Sequence, residues 1–320
     1  MRAVIERNYF DAPSIQSVAE KLRLSENTLR QVLDKFHTHY RIKSEIKSGK
    51  TRTYHRPSPV LKNIQKRVNK YILNTVPLPS SMHGYVPKRS TLTNAKAHLG
   101  KKNIANVDIK SFFPSIHYQR VQRIFRQIGF NEGEASVLTK LTTVDYCVPH
   151  GFPTSPGLAN LTLINADKRL RGLLGKQTIG HTFYSDDITI SGNKSLKRYR
   201  RPIKTILRQE GFKIHQKDSS PQKPYFKRQE ITGLLVNNKR LNLPREDIRS
   251  LEAIIHNCIV KGPFSQIADF EARFGPPRWG TSTVQKFRER VLGKLNYLRT
   301  VNIVKYENFR KEFNKIDWSS

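Results

Sequence analysis

The sequence predicts an α+β fold in which a small antiparallel sheet presents acidic residues and helices supply most of the rest. His181-Thr182-Phe183-Tyr184 and Ile188-Thr189-Ile190-Ser191 are rich in the aromatic and β-branched residues that favour pleated strands, and Ser185-Asp186-Asp187 interrupts them. The acids are therefore expected at the tip of a β-hairpin. A second strand-like run, Ile104-Ala105-Asn106-Val107, ends at Asp108. From Pro244 onward the chain reads as helical, with breaks at Gly262-Pro263 and Gly275-Pro276-Pro277. An isolated Asp-Asp pair is ordinarily just a polar turn. A third acid in a matching setting changes that reading. Neighbouring carboxylates repel each other, and a hard divalent cation such as Mg²⁺ relieves the repulsion. Three carboxylates on two adjacent strands suit two metal ions about 4 Å apart, the arrangement used for in-line phosphoryl transfer.

Charge sets the class of partner. Lys and Arg number 58 against 25 Asp and Glu, a formal net charge of +33 over 320 residues. A protein this basic needs a polyanion, and nucleic acid is the usual one. Charge alone fits a structural RNA binder equally. The length allows two or three subdomains with a real core. No apolar run is long enough to cross a membrane, and the first residues lack the apolar stretch of a secretory signal. Two cysteines, Cys147 and Cys258, are too few for a zinc module or a disulfide framework. The cytoplasm is the expected compartment.

Residues 1–45 are expected to form a helical N-terminal extension. Apolar residues fall at helical spacing over 14–22 and again after Ser25 or Asn27, either of which can cap the second helix. Helix, turn, helix is the outline of a duplex-reading motif, but many helix pairs share it. Bracing or holding RNA is the expected role. Residues 43–56 read as a basic hairpin with Lys47, Lys50, Arg52 and Arg56, followed by a helix over 60–74. Residues 77–87 are Pro-rich and read as a loop. Residues 88–99 read as a helix that puts Asn94 and His98 on one face. Helices are expected over 118–127 and 132–141. Val148-Pro149-His150-Gly151-Phe152-Pro153-Thr154-Ser155-Pro156-Gly157 is a rigid loop whose backbone can approach a base pair closely. One long helix is expected to follow over 158–174, then a basic helix over 196–211, and strands at 212–214 and 230–236.

Together these motifs resemble a reverse transcriptase over roughly residues 50–240. Asp108-Ile109-Lys110-Ser111-Phe112-Phe113 is similar to the first catalytic motif and Tyr184-Ser185-Asp186-Asp187 to the second. Gly151-Phe152-Pro153-Thr154-Ser155-Pro156 is similar to the motif that positions template and nucleotide. Within that superfamily the chain most resembles the bacterial retron enzymes. Asn94-Ala95-Lys96-Ala97-His98 matches their Asn-Ala-x-x-His signature, Ile231-Thr232-Gly233 their Val-Thr-Gly triplet, and Arg52-Thr53 with Pro57-Ser58 their fingers segment. The chain departs from the family pattern at His150, where many relatives carry Gln. It departs again at 215–219, where His215 and Asp218 replace the usual Asn and Lys and leave open which lysine, if any, acts there.

The resemblance implies a right-hand polymerase, with fingers and palm over 46–240 and a helical thumb over 241–320. It implies that Asp108, Asp186 and Asp187 are catalytic and hold two Mg²⁺. Successive strand residues point to opposite faces, so Asp108 and Asp186 are the expected principal ligands. Phe113 would lie under the nucleotide sugar and select deoxynucleotides. Lys50 and Arg52 would hold the triphosphate, with Gly151 and Pro153 beside the nucleotide. Asn94, His98, Thr232 and Gly233 would contact RNA. The activity implied is copying part of the retron's own structured noncoding RNA (msr-msd) into single-stranded DNA joined to RNA (msDNA). Priming would come from an internal 2′-hydroxyl, and the system would serve anti-phage defence beside a separate effector protein. The rival expectations are another bacterial reverse transcriptase (group II intron, diversity-generating or CRISPR-associated), a catalytically silent RNA-binding scaffold, and a DNA-binding regulator built on the N-terminal helices.

Overall fold

The structure is a computed structural model that describes residues 11–47, 50–175, 177–215, 222–237, 240–277 and 282–319, with the backbone alone at 46, 47 and 50. The unresolved question of the lysine near 217–219 lies outside the described residues. The chain forms two compact units. One comprises Met1–Ser90 with Lys102–Lys223, the other Thr91–Lys101 with Pro224–Ser320. These divisions differ from boundaries at 45 and 240.

The first unit opens with α1 (Ala12–Lys21) and α2 (Glu26–Asp34). Asp11 caps α1 and Ser25 caps α2, each accepting a backbone N–H from the first turn. A hairpin follows, β1 (Tyr40–Lys47) and β2 (Lys50–Pro57), and then α3 (Pro59–Tyr71), with Ser58 at its cap and a proline at its start. The chain next contributes α4 (Thr91–Lys96) to the second unit and returns as β3 (Asn103–Asp108). α4 is six residues long, far shorter than a helix over 88–99.

α5 (Tyr118–Ile128) and α6 (Glu132–Thr142) follow, and then α7 (Ser155–Thr162) and α8 (Ile164–Gly175) in place of one long helix. Two side-chain bonds meet at the break. The Arg120 guanidinium donates to the Thr162 carbonyl at 2.9 Å, and the Thr162 hydroxyl donates back to Ala159 at 2.7 Å. Side-chain bonds of this kind compete with the helix ladder. β4 (Gly180–Tyr184) and β5 (Asp187–Gly192) form the acidic hairpin, and α9 (Arg200–Gln209) covers only the latter part of 196–211. The strand expected at 212–214 is reduced to a single bridge between Ile109 and Ile214.

The sheet runs in the order β4-β5-β3-β6, where β6 (Lys223–Pro224) is the point at which the chain leaves this unit. One core underlies the whole unit. Val18, Leu22 and Leu29 of the N-terminal helices belong to the same buried cluster as Phe183 and Ile188 of the sheet. The N-terminal segment is therefore part of this body.

In the second unit, β7 (Glu230–Ile231) and β8 (Leu234–Leu235) form a tight hairpin where a continuous strand was expected. Its two central residues, Thr232 and Gly233, have φ of 47° and 82°, the condition for a type I′ turn. α10 (Arg245–Lys261), α11 (Ile267–Phe274), α12 (Val284–Arg299) and α13 (Ile303–Phe313) pack around Phe270, Phe287, Leu295 and Phe313. The breaks after Lys261 and Phe274 fall where Gly262-Pro263 and Gly275-Pro276 predict them.

Glu134 ties α1 to α6. Its carboxylate accepts from Ser17 at 2.5 Å, pairs with Lys21, and closes a capping box with Asn131. Removing it leaves a helix N-terminus and two partners unsatisfied. Glu134→Ala should cost about 2–4 kcal/mol of stability, read as a lower unfolding midpoint. Lys21→Ala, at a half-exposed position, should cost much less.

Candidate active site

The acids meet through the backbone. β3 pairs antiparallel with β5 so that Asp108 lies opposite Asp187. Beyond the strand pair, the Ile109 N–H donates to the Asp186 carbonyl at 3.1 Å. Asp108 and the adjacent pair Asp186-Asp187, far from it in sequence, are thus brought to one end of one sheet. Asp187, rather than Asp186, is the residue directly opposite Asp108. Ser185 turns the hairpin with a φ of 60°. His215 closes the other side: its N–H donates to the Asp108 carbonyl at 3.1 Å, and its ring stands 3.8 Å from the carboxylate.

The stretch at 81–84, which composition marks only as a loop, braces this turn. Phe183 N–H donates to the Ser81 carbonyl at 2.8 Å, and His83 N–H to the Phe183 carbonyl at 2.7 Å. A Cβ on Gly84 would stand 2.5 Å from the Ser185 nitrogen, so only glycine lets the two backbones approach this closely. Asn160 donates to the Gly84 carbonyl at 2.9 Å.

Burial, reinforced by Asp108 and Asp186, pushes the Asp187 carboxyl up to about 6. The donor set is all hard oxygen and its members repel, which fits a divalent cation. Among the described residues no three His, Cys, Asp or Glu side chains close a metal cage by themselves. Mg²⁺ needs no such cage, because it usually keeps waters and substrate phosphates beside one or two carboxylates.

The expected nucleotide residues lie around His150. Its ring meets Phe113 edge-on at 4.8 Å and Tyr54 at 6.1 Å. Burial, with the nearby Arg52 charge, holds its imidazole below the ordinary histidine range despite an opposing pull from Asp186. His150 thus stands between the basic hairpin and the acids. The His55 N–H donates to the His150 carbonyl at 2.7 Å. A Cβ on Gly151, whose φ is 105°, would stand 2.5 Å from the His55 carbonyl oxygen. Phe152 packs edge-on against His55, and the Pro153 carbonyl accepts from Asn69 at 2.8 Å. The β1–β2 hairpin is in this way pinned to the 149–153 loop. Lys50 begins β2, and its side chain lies outside the described residues.

The reverse transcriptase (RNA-dependent DNA polymerase) family model matches residues 42–220, which include the acids, Phe113 and the His150 loop. The chain belongs to this family. It is 32 % identical over 259 residues to the retron Ec86 reverse transcriptase of Escherichia coli, covering 79 % of this chain and 80 % of that protein. It is 33 % identical over 287 residues to the retron Mx162 reverse transcriptase of Myxococcus xanthus, covering 76 % of this chain but 58 % of the relative's length. By these matches it groups with the bacterial retron reverse transcriptases. Among solved structures, telomerase from Candida albicans is similar with a TM-score of 0.47 and 12 % identity, over 89 % of this chain and 63 % of that one.

The two retron-type signatures come together in the second unit of this reverse transcriptase. The Thr232 hydroxyl donates to the Thr91 carbonyl at 3.3 Å, joining the β7–β8 turn to α4. Asn94 and His98 need a correction, however. They are 1 % and 0 % exposed, so their side chains face inward and offer RNA no surface. Half-buried Thr232 and exposed Gly233 are the outward members of the group. No sequence signal separates the two pairs, because helical spacing says which residues share a face and not which way that face looks. His55, Tyr54 and Gly84 also escaped assignment, and His150 was marked only as a departure from the family pattern.

The acids have a measurable cost. A carboxyl whose folded pKa is raised favours the fold fully below its unfolded pKa, and that support is lost as pH rises through about 6. In metal-free protein, Asp187→Asn should raise the unfolding midpoint at pH 8 by on the order of 3 °C and leave it nearly unchanged at pH 4. A scanning-calorimetry series over pH measures this.

Proposed function

We propose that this chain is the polymerase of a retron, an RNA-directed DNA polymerase that copies part of a structured noncoding RNA into single-stranded DNA. The observation that supports this most is the strand register that sets Asp108 opposite Asp187, with Asp186 at the adjoining turn. Two Mg²⁺ held by Asp108, Asp186 and Asp187 would supply an activated 3′-hydroxyl and charge neutralisation at the triphosphate.

The remaining steps fall to the chain's own residues. Arg52 and Lys50, on the strand that begins at Lys50, bind the triphosphate as cations. Gly151 and Pro153 hold the loop backbone against the nucleotide. Phe113, backed by His150 and flanked by Tyr85 at 6.5 Å, forms the floor under the sugar and excludes a 2′-hydroxyl. In this reading the first unit supplies fingers and palm, and the helices of the second supply the thumb. The Thr232-Gly233 turn contacts the RNA, and Asn94 and His98 shape it from within. The partners are the msr-msd RNA, its msDNA product, deoxynucleotides and a separate effector protein, in a cytoplasmic anti-phage system. No helix among the described residues is long and apolar enough to cross a membrane.

Primer extension on an RNA template tests the polymerase. Asp186→Asn, folded as judged by circular dichroism, should lose about 10³-fold in rate; near-normal extension would remove the metal role. Phe113→Ala should admit ribonucleotides, with the deoxy-over-ribo preference falling by roughly 10–100-fold. Nuclease digestion of the purified complex tests the retron assignment. A covalently joined RNA–DNA species supports it, and bare RNA alone favours the scaffold.

A further inference from the structure

Beside the β7–β8 hairpin, the second unit holds a half-open cleft of about 290 Å³. This is close to the lower end of the ~300–1,000 Å³ range of small-molecule pockets. The more buried part of its lining is apolar Leu235, Leu243 and Ile248 with Asn237, Asn242 and Asn302 beside them, and the exposed part is Arg240, Arg245 and Lys305. Among the described residues no carboxylate lines it. The nearest acids in sequence are engaged elsewhere, Glu246 with Arg228 and Asp247 with Arg273. Three cations around an apolar floor form an unbalanced site. Its chemistry asks for a ligand with a flat apolar face and a phosphate.

The wall of the cleft is organised. Asn237 donates to the carbonyls of Tyr225 and Lys227, both at 2.6 Å, and accepts from the Gln229 N–H at 2.8 Å. Its amide is thus spent on fixing the 225–229 turn. That turn presents Tyr225 and Phe226 to solvent at 61 % and 74 % exposure, their rings 5.9 Å apart and edge-on. Adjacent exposed aromatics form the kind of apolar patch that marks an interaction surface. Unpaired bases stack on such faces.

We infer that the cleft takes one unpaired nucleotide of a bound RNA, with its phosphate against Arg240, Arg245 and Lys305 and its base on Leu235, Leu243 and Ile248. The exposed Tyr225–Phe226 pair extends the stacking surface to flanking bases. This goes beyond gripping a duplex backbone, because a fully paired helix has no base to offer. It rests on the proposed RNA-binding function, and that dependence can be separated by experiment.

Two RNA hairpins of equal length serve as probes, one with a single extruded nucleotide and one fully paired, with binding read by fluorescence anisotropy at two salt concentrations. The protein should prefer the extruded form by about tenfold. Arg240→Ala/Arg245→Ala should abolish that preference and lower the salt slope by about 1–2. Leu243→Trp fills the floor without changing charge and should abolish the preference alone. Equal weakening of both hairpins by the arginine variant would overturn the site, leaving only diffuse charge. Competition by adenosine monophosphate at micromolar concentration would overturn the RNA assignment in favour of a free nucleotide. Loss of extension in the unaltered protein would instead count against the polymerase reading.

Discussion

Like charges gathered where β3 ends and β5 begins have to be held by something other than themselves. The holding is done by the backbone: the ladder that pairs Asp108 with Asp187, and the N–H of Ile109 on the Asp186 carbonyl. Strand register is all-or-none, since a slip of one residue would send every side chain to the opposite face. The apolar residues that follow, Ile188 and Ile190 on one strand and Val107 and Ala105 on the other, are buried and fix that register. The core thus sets the position of the acids and buries Asp187 beside its neighbours. Burial first, and the charges of Asp108 and Asp186 after it, raise the Asp187 carboxyl.

A second layer of bonds keeps the turn in place. Asp167 is 1 % exposed, and burial alone would raise its carboxyl. Hydrogen bonds from His181 and Ser81, together with Arg171, hold it below the usual range. Ser81 also accepts from Phe183, so a fully buried charge reaches the acidic hairpin through two bonds. On the other flank, the 149–153 loop is fixed by His55, Asn69 and the hydroxyl of Ser155, which donates to Pro149 at 2.6 Å. Preorganisation of this kind is what a site stabilising transferred charge requires.

The parts of the molecule written in local pattern were legible in its sequence. The cap at Ser25, the acidic hairpin, the strand ending at Asp108 and the breaks near Gly262 and Gly275 all follow from residue type and spacing. What could not be read depends on distant partners. The break between α7 and α8 falls at a carbonyl bonded by Arg120, more than forty positions upstream. The inward turn of Asn94 and His98 depends on what packs above them. The Thr232-Gly233 turn was hidden because Ile231 and Leu234 are strand formers, and only the positive φ at both central residues reveals that the chain reverses there. His150 drew notice as a departure from the family pattern, yet its place between Phe113 and Tyr54 is a matter of three-dimensional assembly.

The excursion of Thr91–Lys101 into the second unit has a consequence for how the molecule is made and dissected. The polypeptide crosses between the two bodies three times, so no single cleavage frees either as an unbroken fragment. A protease acting near residue 223 would leave α4 stranded on the wrong piece. During translation α4 leaves the ribosome well before the β7–β8 hairpin it joins. Completion of the second body is thereby delayed until nearly the whole chain exists.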